Sequence, residues 1–230
     1  TGDNTPAVVH TEIVPGNKIE LTVAAKGGGS ENKAKLAMLN PSDDLAEWVT
    51  ETLPTLGAGW CPPGILGIGI GGTPEKAMLM AKESLMAPVD MAEIVERGPK
   101  TATETLRLNI YEAVNRLGIG AQGLGGLTTV LDVKINTYAT HAASLPVAMI
   151  PNCAATRHIH LSLDGSGPAE LPQVDSSSWP EITQQTVGQR VNLDEVTPED
   201  YRSWRIGDNL LLSGRLLTGR DAAHKRLVDL

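Results

Sequence analysis

Apolar residues recur with helical spacing in some segments of the chain and with strand-like spacing in others. Over residues 103–117 this spacing places Leu106, Ile110, Val114 and Leu117 on one face of an amphipathic helix, and Gly118 ends it. Shorter patterns predict helices over 43–53, from Pro74 onwards with Thr73 as the N-cap, and near the C-terminus.

The strand-like segments lie between these helices. Residues 7–14 and 18–25 are rich in β-forming residues and flank Pro15-Gly16-Asn17, which predicts a β-hairpin. Further strands are predicted over 65–70, 127–135, 145–150 and 157–163. Because strands and helices interleave without a repeat, the predicted fold class is α/β, of the mixed α+β kind.

The composition changes after Asp164. The next residues, up to Gln189, are rich in Pro, Ser, Gly and Gln and have no sustained periodicity, which is typical of a linker. The sequence therefore predicts a first domain over 1–165, a linker over 166–190 and the beginning of a second domain over 191–230.

Charge and cysteine content narrow the class of protein. The net charge of −8 argues against a general nucleic-acid binder, because no basic face is evident that could displace phosphate counterions. No apolar run approaches the roughly 20 residues that span a bilayer, so no membrane association is expected. With only two cysteines in 230 residues, a reducing compartment such as the cytoplasm is favoured over a disulfide framework.

Two glycine-rich segments suggest binding sites. Gly67, Gly69 and Gly72 match the dinucleotide pattern G-x-G-x-x-G, but Asp90, which has the spacing of the acidic partner, begins a predicted helix, so nicotinamide or flavin binding is disfavoured. In AKGGGSENK, residues 25–33, successive glycines with positive φ could form a nest of N–H groups for a carboxylate or phosphate. A flexible surface loop remains equally compatible with this segment.

The two cysteines lie beside prolines. Cys61 lies in GAGWCPPG and Cys153 follows Pro151-Asn152, which predicts that each thiol lies on a rigid loop and not in a regular element. Such loops suit iron–sulfur ligation, because backbone amides can donate to cluster sulfurs, although two thiolates are too few for a four-cysteine cluster.

The histidines allow both structural and chemical interpretations. His158 and His160 fall on one side of a predicted strand, where they could bind a metal or simply be satisfied by hydrogen bonds. His141 lies in a loop of small residues, where an imidazole can face a cavity.

Four ordered blocks resemble the iron–sulfur class I fumarases, and the resemblance extends over essentially the whole chain. They are GAGWCPPGILGIGIGGTPEKAMLMAKESL, GIGAQGLGGLTTVLDVKI, THAASLPVAMIPNCAATRHIHLSLDGSG and LLSGRLLTGRDAAHKR. The resemblance implies a homodimeric hydro-lyase of the tricarboxylic acid cycle that interconverts fumarate and (S)-malate. It also implies a [4Fe–4S] cluster held by three cysteines, whose fourth iron acts as a Lewis acid.

The same resemblance assigns roles to individual residues. Cys61 and Cys153 would be two of the three cluster ligands, with the third expected upstream of residue 1. His141 would be catalytic, contributed across a dimer interface. The substrate is a small dicarboxylate: amides of Gly27 and Gly28 would bind one carboxylate, and Arg220 would bind the other through its bidentate guanidinium.

The fumarase interpretation is the first of three that stay open. A complete member of the family would have a segment before Thr1 and most of a swivelling C-terminal domain after Leu230, so an internal fragment that is inactive alone is expected. The proton-transfer residue is expected in the missing part. L(+)-tartrate dehydratase is the nearest alternative activity, with mesaconate as a possible side substrate because a methyl group gives little discrimination. A non-catalytic folded or dimerisation core is the third.

Overall fold

The computed structural model describes residues 7–173, 176–177, 181, 187–205, 208–217, 219 and 221–230. The chain divides into two compact units, Thr1–Pro172 and Gln173–Leu230, which we call the first and second units. The linker over 166–190 stays a prediction. None of the described helices is both long and apolar enough to cross a membrane.

A four-stranded mixed sheet forms the centre of the first unit. Its strands are β2 (Lys35–Leu39), β3 (Gly64–Gly71), β4 (Val130–Tyr138) and β5 (Leu145–Cys153). They lie in the order β2-β5-β3-β4, with β3 parallel to β4 and β5 antiparallel to both β2 and β3. The expected mixed α/β class is therefore confirmed.

Helices cover both faces of this sheet. One core cluster combines Ala77 and Ala81 of α3 (Pro74–Ser84) with small and aliphatic side chains of β3 and β5. The other includes residues of α2 (Leu45–Thr55), α4 (Met91–Arg97) and α5 (Ala102–Arg116) with alternate residues of the same strands. Because successive strand residues point to opposite faces, the nearly continuous apolar run of β3 is buried on both sides.

The G-x-G-x-x-G pattern has a packing role in this sheet. A Cβ atom at Gly69 would lie 2.0 Å from the carbonyl oxygen of Ala77, and one at Gly67 would lie 2.2 Å from that of Ala81. Only glycine therefore lets helix α3 approach strand β3 so closely. Gly72 has φ +68 and begins the turn into the helix. Close helix–sheet packing accounts for the spacing.

The predicted hairpin over 7–25 is wrong. Residues 7–14 form no strand, and β1 (Ile19–Ala24) pairs antiparallel with β6 (His158–Leu163) instead. Aliphatic residues face each other in register across this ribbon, for example Leu21 opposite Leu161. Cross-strand pairing of apolar residues that are distant in sequence thus replaces the local turn.

A network of four charged side chains lies at the outer edge of β4. Asp132 is fully buried, and its carboxylate contacts Lys134 at 2.9 Å and Arg107 at 3.0 Å. Asp90, at the start of α4, also contacts both cations. Hydrogen bonds from Arg107 and Lys134 hold the pKa of Asp90 well below its usual value. The network joins α4 and α5 to the sheet.

The described residues of the second unit form two short strands and two helices. Strands β7 (Gln189–Asn192) and β8 (Leu210–Ser213) pair in parallel. Helix α6 (Pro198–Ser203) begins with a capping box between Thr197 and Asp200, and the last helix, α7 (Asp221–Val228), confirms the helix predicted near the C-terminus.

Candidate functional site

Three segments meet the end of β5 at one edge of the central sheet, where strands begin or end. They are the glycine segment, the Cys61 loop and the segment before β4. The segments that precede β2, β3 and β4 all lie there, because these three strands run in the same direction. The antiparallel strand β5 ends at this edge. We call it the cysteine edge, because it holds both Cys61 and Cys153.

The two cysteines are at the ends of neighbouring strands. Cys153 is the last residue of β5 and lies directly opposite Gly64, the first residue of β3, while Cys61 precedes Gly64 by three residues. Both thiols are free and half-buried. The prediction that both cysteines lie on loops is correct for Cys61, but Cys153 ends a strand because its backbone pairs with β3.

The loop of Cys61 has an unusual backbone. Cys61 has φ +60, in the left-handed region that favours glycine, and its N–H donates to the carbonyl of Ala58 at 2.9 Å. Pro62 and Pro63 follow directly. This conformation turns the chain sharply just before β3 and presents the thiol at the edge of the sheet.

The glycine segment begins a short helix, α1 (Gly28–Glu31), at the same edge. Gly27 has φ −68, and no glycine of residues 27–29 has a positive φ. The suggested nest of left-handed glycines is therefore wrong. The N–H groups of Gly27 and Gly28 donate no hydrogen bond within the described part of the chain. They are amides at the start of a helical turn, where anions are favoured.

Close packing requires only one of these glycines. A Cβ at Gly29 would lie 2.8 Å from the carbonyl of Gly59, which joins the glycine segment to the Cys61 loop. A Cβ at Gly28 would meet no described atom within 4 Å, and one at Gly27 would meet only Ser30 at 3.9 Å. Packing therefore leaves open space beside Gly27 and Gly28, where a ligand can approach the backbone.

Lys26 connects the glycine segment to the strand of Cys153, and the sequence analysis missed it. Its ammonium group donates to the carbonyl of Pro151 at 3.0 Å and to Ser30 Oγ at 2.9 Å, and it lies 3.4 Å from Glu31. Burial lowers the pKa of Lys26, and attraction to Glu31 offsets part of that effect. Its place directly before the glycines was the signal available in the sequence.

The segment before β4 contacts the Cys61 loop from the other side. The N–H of Gln122 donates to the carbonyl of Pro62 at 2.7 Å, and a Cβ at Gly123 would lie 3.1 Å from Ala58. Gln122 has φ +55 and an exposed side chain. Within this glycine-rich segment, no pattern in the sequence distinguishes Gln122 as a site residue.

His141 lies at the opposite edge of the sheet. It follows β4, whose Tyr138 pairs with Gly71 at the far end of β3. Seven residue steps along β3 separate the two edges by about 23 Å. The structure therefore brings Cys61, Cys153, Gly27 and Gly28 to one edge and leaves His141 at the other.

An open cavity of about 600 Å³ surrounds His141, lined also by Lys76, Tyr138 and the N-terminus of α3. The N–H of Ala143 donates to His141 Nδ1 at 3.1 Å. In the neutral ring this contact assigns the proton to Nε2, which can then donate to a ligand. His141 can thus donate a hydrogen bond to an anionic group.

His160, in the pair of His158 and His160, is satisfied by hydrogen bonds. The ring centroids lie 5.3 Å apart, and His160 contacts Thr22 Oγ1 at 2.8 Å and the Met86 carbonyl at 3.0 Å through its two nitrogens. Burial lowers the pKa of His158, which favours its neutral form. Since both His160 nitrogens have partners, the hydrogen-bonded interpretation fits better than a metal site.

The donors at the cysteine edge fit an iron–sulfur cluster in part. Two half-buried thiols, near backbone amides that have no partner in the described part of the chain, suit thiolate ligation of iron. Among the described residues no group of three His, Cys, Asp or Glu side chains could hold a metal ion. Cys61 and Cys153, the two cysteines of this sequence, can therefore supply two thiolate ligands. Arg220, expected at the substrate, lies outside the described residues.

Comparisons with known proteins find the same family over both units. The family model described as fumarate hydratase (fumerase) matches residues 1–162, and the model described as fumarase C-terminus matches 165–230. The chain is 32% identical to fumarate hydratase 2 of Leishmania major and 30% identical to the anaerobic class I fumarate hydratase of Escherichia coli K12. Each match covers 100% of this chain, and 43% and 44% of the relatives.

A putative L(+)-tartrate dehydratase subunit alpha of Methanocaldococcus jannaschii is 43% identical over 61% of this chain and 48% of its own length. The chain thus spans about half the length of the curated relatives it matches. With family models matching both parts of the sequence, the chain belongs to the fumarate hydratase (fumerase) family.

Proposed function

We propose that this chain forms part of an iron–sulfur hydro-lyase that hydrates fumarate reversibly to (S)-malate. The observation that carries the proposal is the convergence of Cys61 and Cys153 on one sheet edge, in a member of the fumarate hydratase family. The amides of Gly27 and Gly28 at this edge have no hydrogen-bond partner among the residues that the structure describes. When bound, a [4Fe–4S] cluster would supply an open iron as Lewis acid for the substrate. The thiolates of Cys61 and Cys153 would provide two of its ligands.

The protein groups would bind and orient the dicarboxylate. The amides of Gly27 and Gly28 would donate to one carboxylate, with open space beside both residues. Arg220 would bind the other carboxylate through its guanidinium. Half-exposed thiols and an accessible iron require reducing surroundings, which fits the cytoplasmic location predicted from the sequence.

Fumarate is favoured over tartrate as the substrate for one reason. The similarity to fumarate hydratases covers the whole chain, whereas similarity to tartrate dehydratase alpha subunits covers 61% to 68% of it. Tartrate remains the second candidate, because the identity is 43% to a putative tartrate dehydratase subunit.

The test is a rate measurement with the assembled, cluster-loaded enzyme under anaerobic conditions. We expect kcat/KM for fumarate to exceed that for L(+)-tartrate and mesaconate. A larger value for tartrate would make the enzyme a tartrate dehydratase. No hydration or dehydration of any of the three, with iron and sulfide present at the level of a full cluster, would refute the hydro-lyase proposal.

His141 would act on the site of a second copy in a homodimer. The separation of about 23 Å between the sheet edges keeps it away from Cys61 and Cys153 of its own chain. A mixed dimer tests this arrangement: one subunit carries His141→Asn and the other Cys61→Ser. If His141 acts across the interface, one of the two sites is intact, and we expect about half of the wild-type kcat per dimer.

The two parental homodimers are the controls, and both should be nearly inactive. A mixed dimer as inactive as its parents would mean that His141 and Cys61 serve the same site from one chain. Iron analysis of the mixed dimer checks that one cluster is bound.

A further inference from the structure

In the loop that precedes β4, Gln122 is a residue other than glycine with a positive φ. Only two described residues other than glycine have φ in the left-handed region, Cys61 at +60 and Gln122 at +55. Their loops contact each other directly, since the Gln122 N–H donates to the carbonyl of Pro62 at 2.7 Å. Two rare conformations therefore occur side by side at the cysteine edge.

A turn alone does not explain glutamine at this position. The same loop uses glycine wherever else φ is positive, at residues 118, 120, 123, 125 and 126. Glutamine is not among the residues that tolerate this conformation well, and glycine would adopt it without strain. Non-glycine residues held in such conformations concentrate at functional sites. A side chain kept there despite the strain points to a role for its carboxamide.

The carboxamide of Gln122 is free to bind a ligand. The side chain is exposed and makes no hydrogen bond to any residue that the structure describes. The order of the sheet is β2-β5-β3-β4, so the segments at this edge follow the same order. Cys153 and Cys61 thus lie between the Gly27–Gly28 segment and the loop of Gln122.

We propose that Gln122 is a substrate-binding residue that donates an N–H of its carboxamide to a carboxylate of the dicarboxylate. This inference rests on the proposed hydro-lyase function and extends its site to the β4 side of the Cys61 loop. The amide is uncharged, so it adds a directional donor beside the cysteines without adding a positive charge.

Two variants of the assembled enzyme test the inference. Gln122→Gly removes the carboxamide and relieves the backbone, and Gln122→Glu keeps the size but replaces the donor with a carboxylate. Each should raise KM for fumarate about ten- to hundredfold with a smaller change in kcat, as for the loss of a hydrogen bond to a charged group. Binding of succinate, a dicarboxylate that cannot be hydrated, should weaken by a similar factor in calorimetry.

The unfolding temperature separates this role from a structural one. Gln122→Gly should leave the midpoint of thermal unfolding unchanged or raise it, because glycine adopts φ +55 freely. Leu124→Ala is the control, since this neighbouring side chain is 88% exposed, and it should leave both KM and succinate binding unchanged.

Each other outcome overturns the inference. Wild-type KM and succinate affinity in both Gln122 variants would show that the carboxamide does not contact the substrate, while the proposed function would stand. A smaller increase in KM for fumarate in Gln122→Glu than in Leu124→Ala would also overturn the inference and leave the proposed function standing. Absence of hydratase activity in the wild-type, cluster-loaded enzyme would refute the proposed function and this inference with it.

Discussion

Serine at Cys61 or Cys153 is expected to lower hydratase activity by about a thousandfold or more. Loss of a ligand removes or disorders the cluster, and a bound Lewis acid is worth several kcal/mol of transition-state stabilisation, with each 1.36 kcal/mol giving a factor of ten. Iron and sulfide content, measured together with the absorbance at the blue end of the visible spectrum, should fall in parallel with the rate.

The structure supplies a control for this experiment. Ala154→Ser places a hydroxyl on the exposed residue next to Cys153, and it should leave iron content and rate unchanged. The cysteine variants should also unfold at nearly the wild-type temperature in the cluster-free form, because both thiols are only half-buried. Retention of full iron and sulfide by Cys153→Ser would contradict the assignment of Cys153 as a ligand.

Asp132→Ala is expected to lower the free energy of unfolding by about 3 to 5 kcal/mol, the usual cost of leaving buried charges without their partner. Asp132 is fully buried, and its carboxylate contacts Lys134 and Arg107 and accepts hydrogen bonds from the N–H groups of Asp90 and Met91. Its removal leaves two cations and two amides with fewer acceptors. Urea unfolding of the 230-residue chain followed by circular dichroism measures the effect.

A surface ion pair of this protein is the matched control. Glu112 contacts Arg116 at 3.7 Å with both side chains more than half exposed, so Glu112→Ala should cost no more than about 0.5 kcal/mol. The double variant Asp132→Ala, Lys134→Met should lose less free energy of unfolding than the two single variants lose in sum, because it removes both members of a buried pair. Equal costs for Asp132→Ala and Glu112→Ala would show that the network contributes nothing beyond a surface pair.

Local patterns predicted most helices and strands of the first unit. The helix over 103–117 corresponds to α5 (Ala102–Arg116), and its predicted apolar face is buried at Ile110 and Val114, whereas Leu117 follows the helix and is partly exposed. Pro74 is the first residue of α3, as its fixed φ favours. Such elements depend on periodicity and on end signals that lie within the element itself.

Pairing between distant residues was not predictable in the same way. The turn Pro15-Gly16-Asn17 favoured a local hairpin, yet β1 pairs with β6 across nearly the whole first unit. Likewise, Asp90, Arg107, Asp132 and Lys134 carry no common signal in the sequence, because their charges meet only when α4, α5 and β4 pack. A pattern read along one segment contains no information about its partner.

The sequence by itself determined the family and the class of fold, and it pointed to the two cysteines, the glycine segment and His141 as candidate site residues, because ordered motifs and periodicity are properties of contiguous residues. The tertiary structure decided which of those residues can act together. The direction of each strand brings Cys61, Cys153 and the amides of Gly27 and Gly28 to one edge of the sheet and puts His141 at the other. Strand direction and hydrogen-bonded register separate His141 from the cysteines. The order of residues along the chain does not reveal either of them.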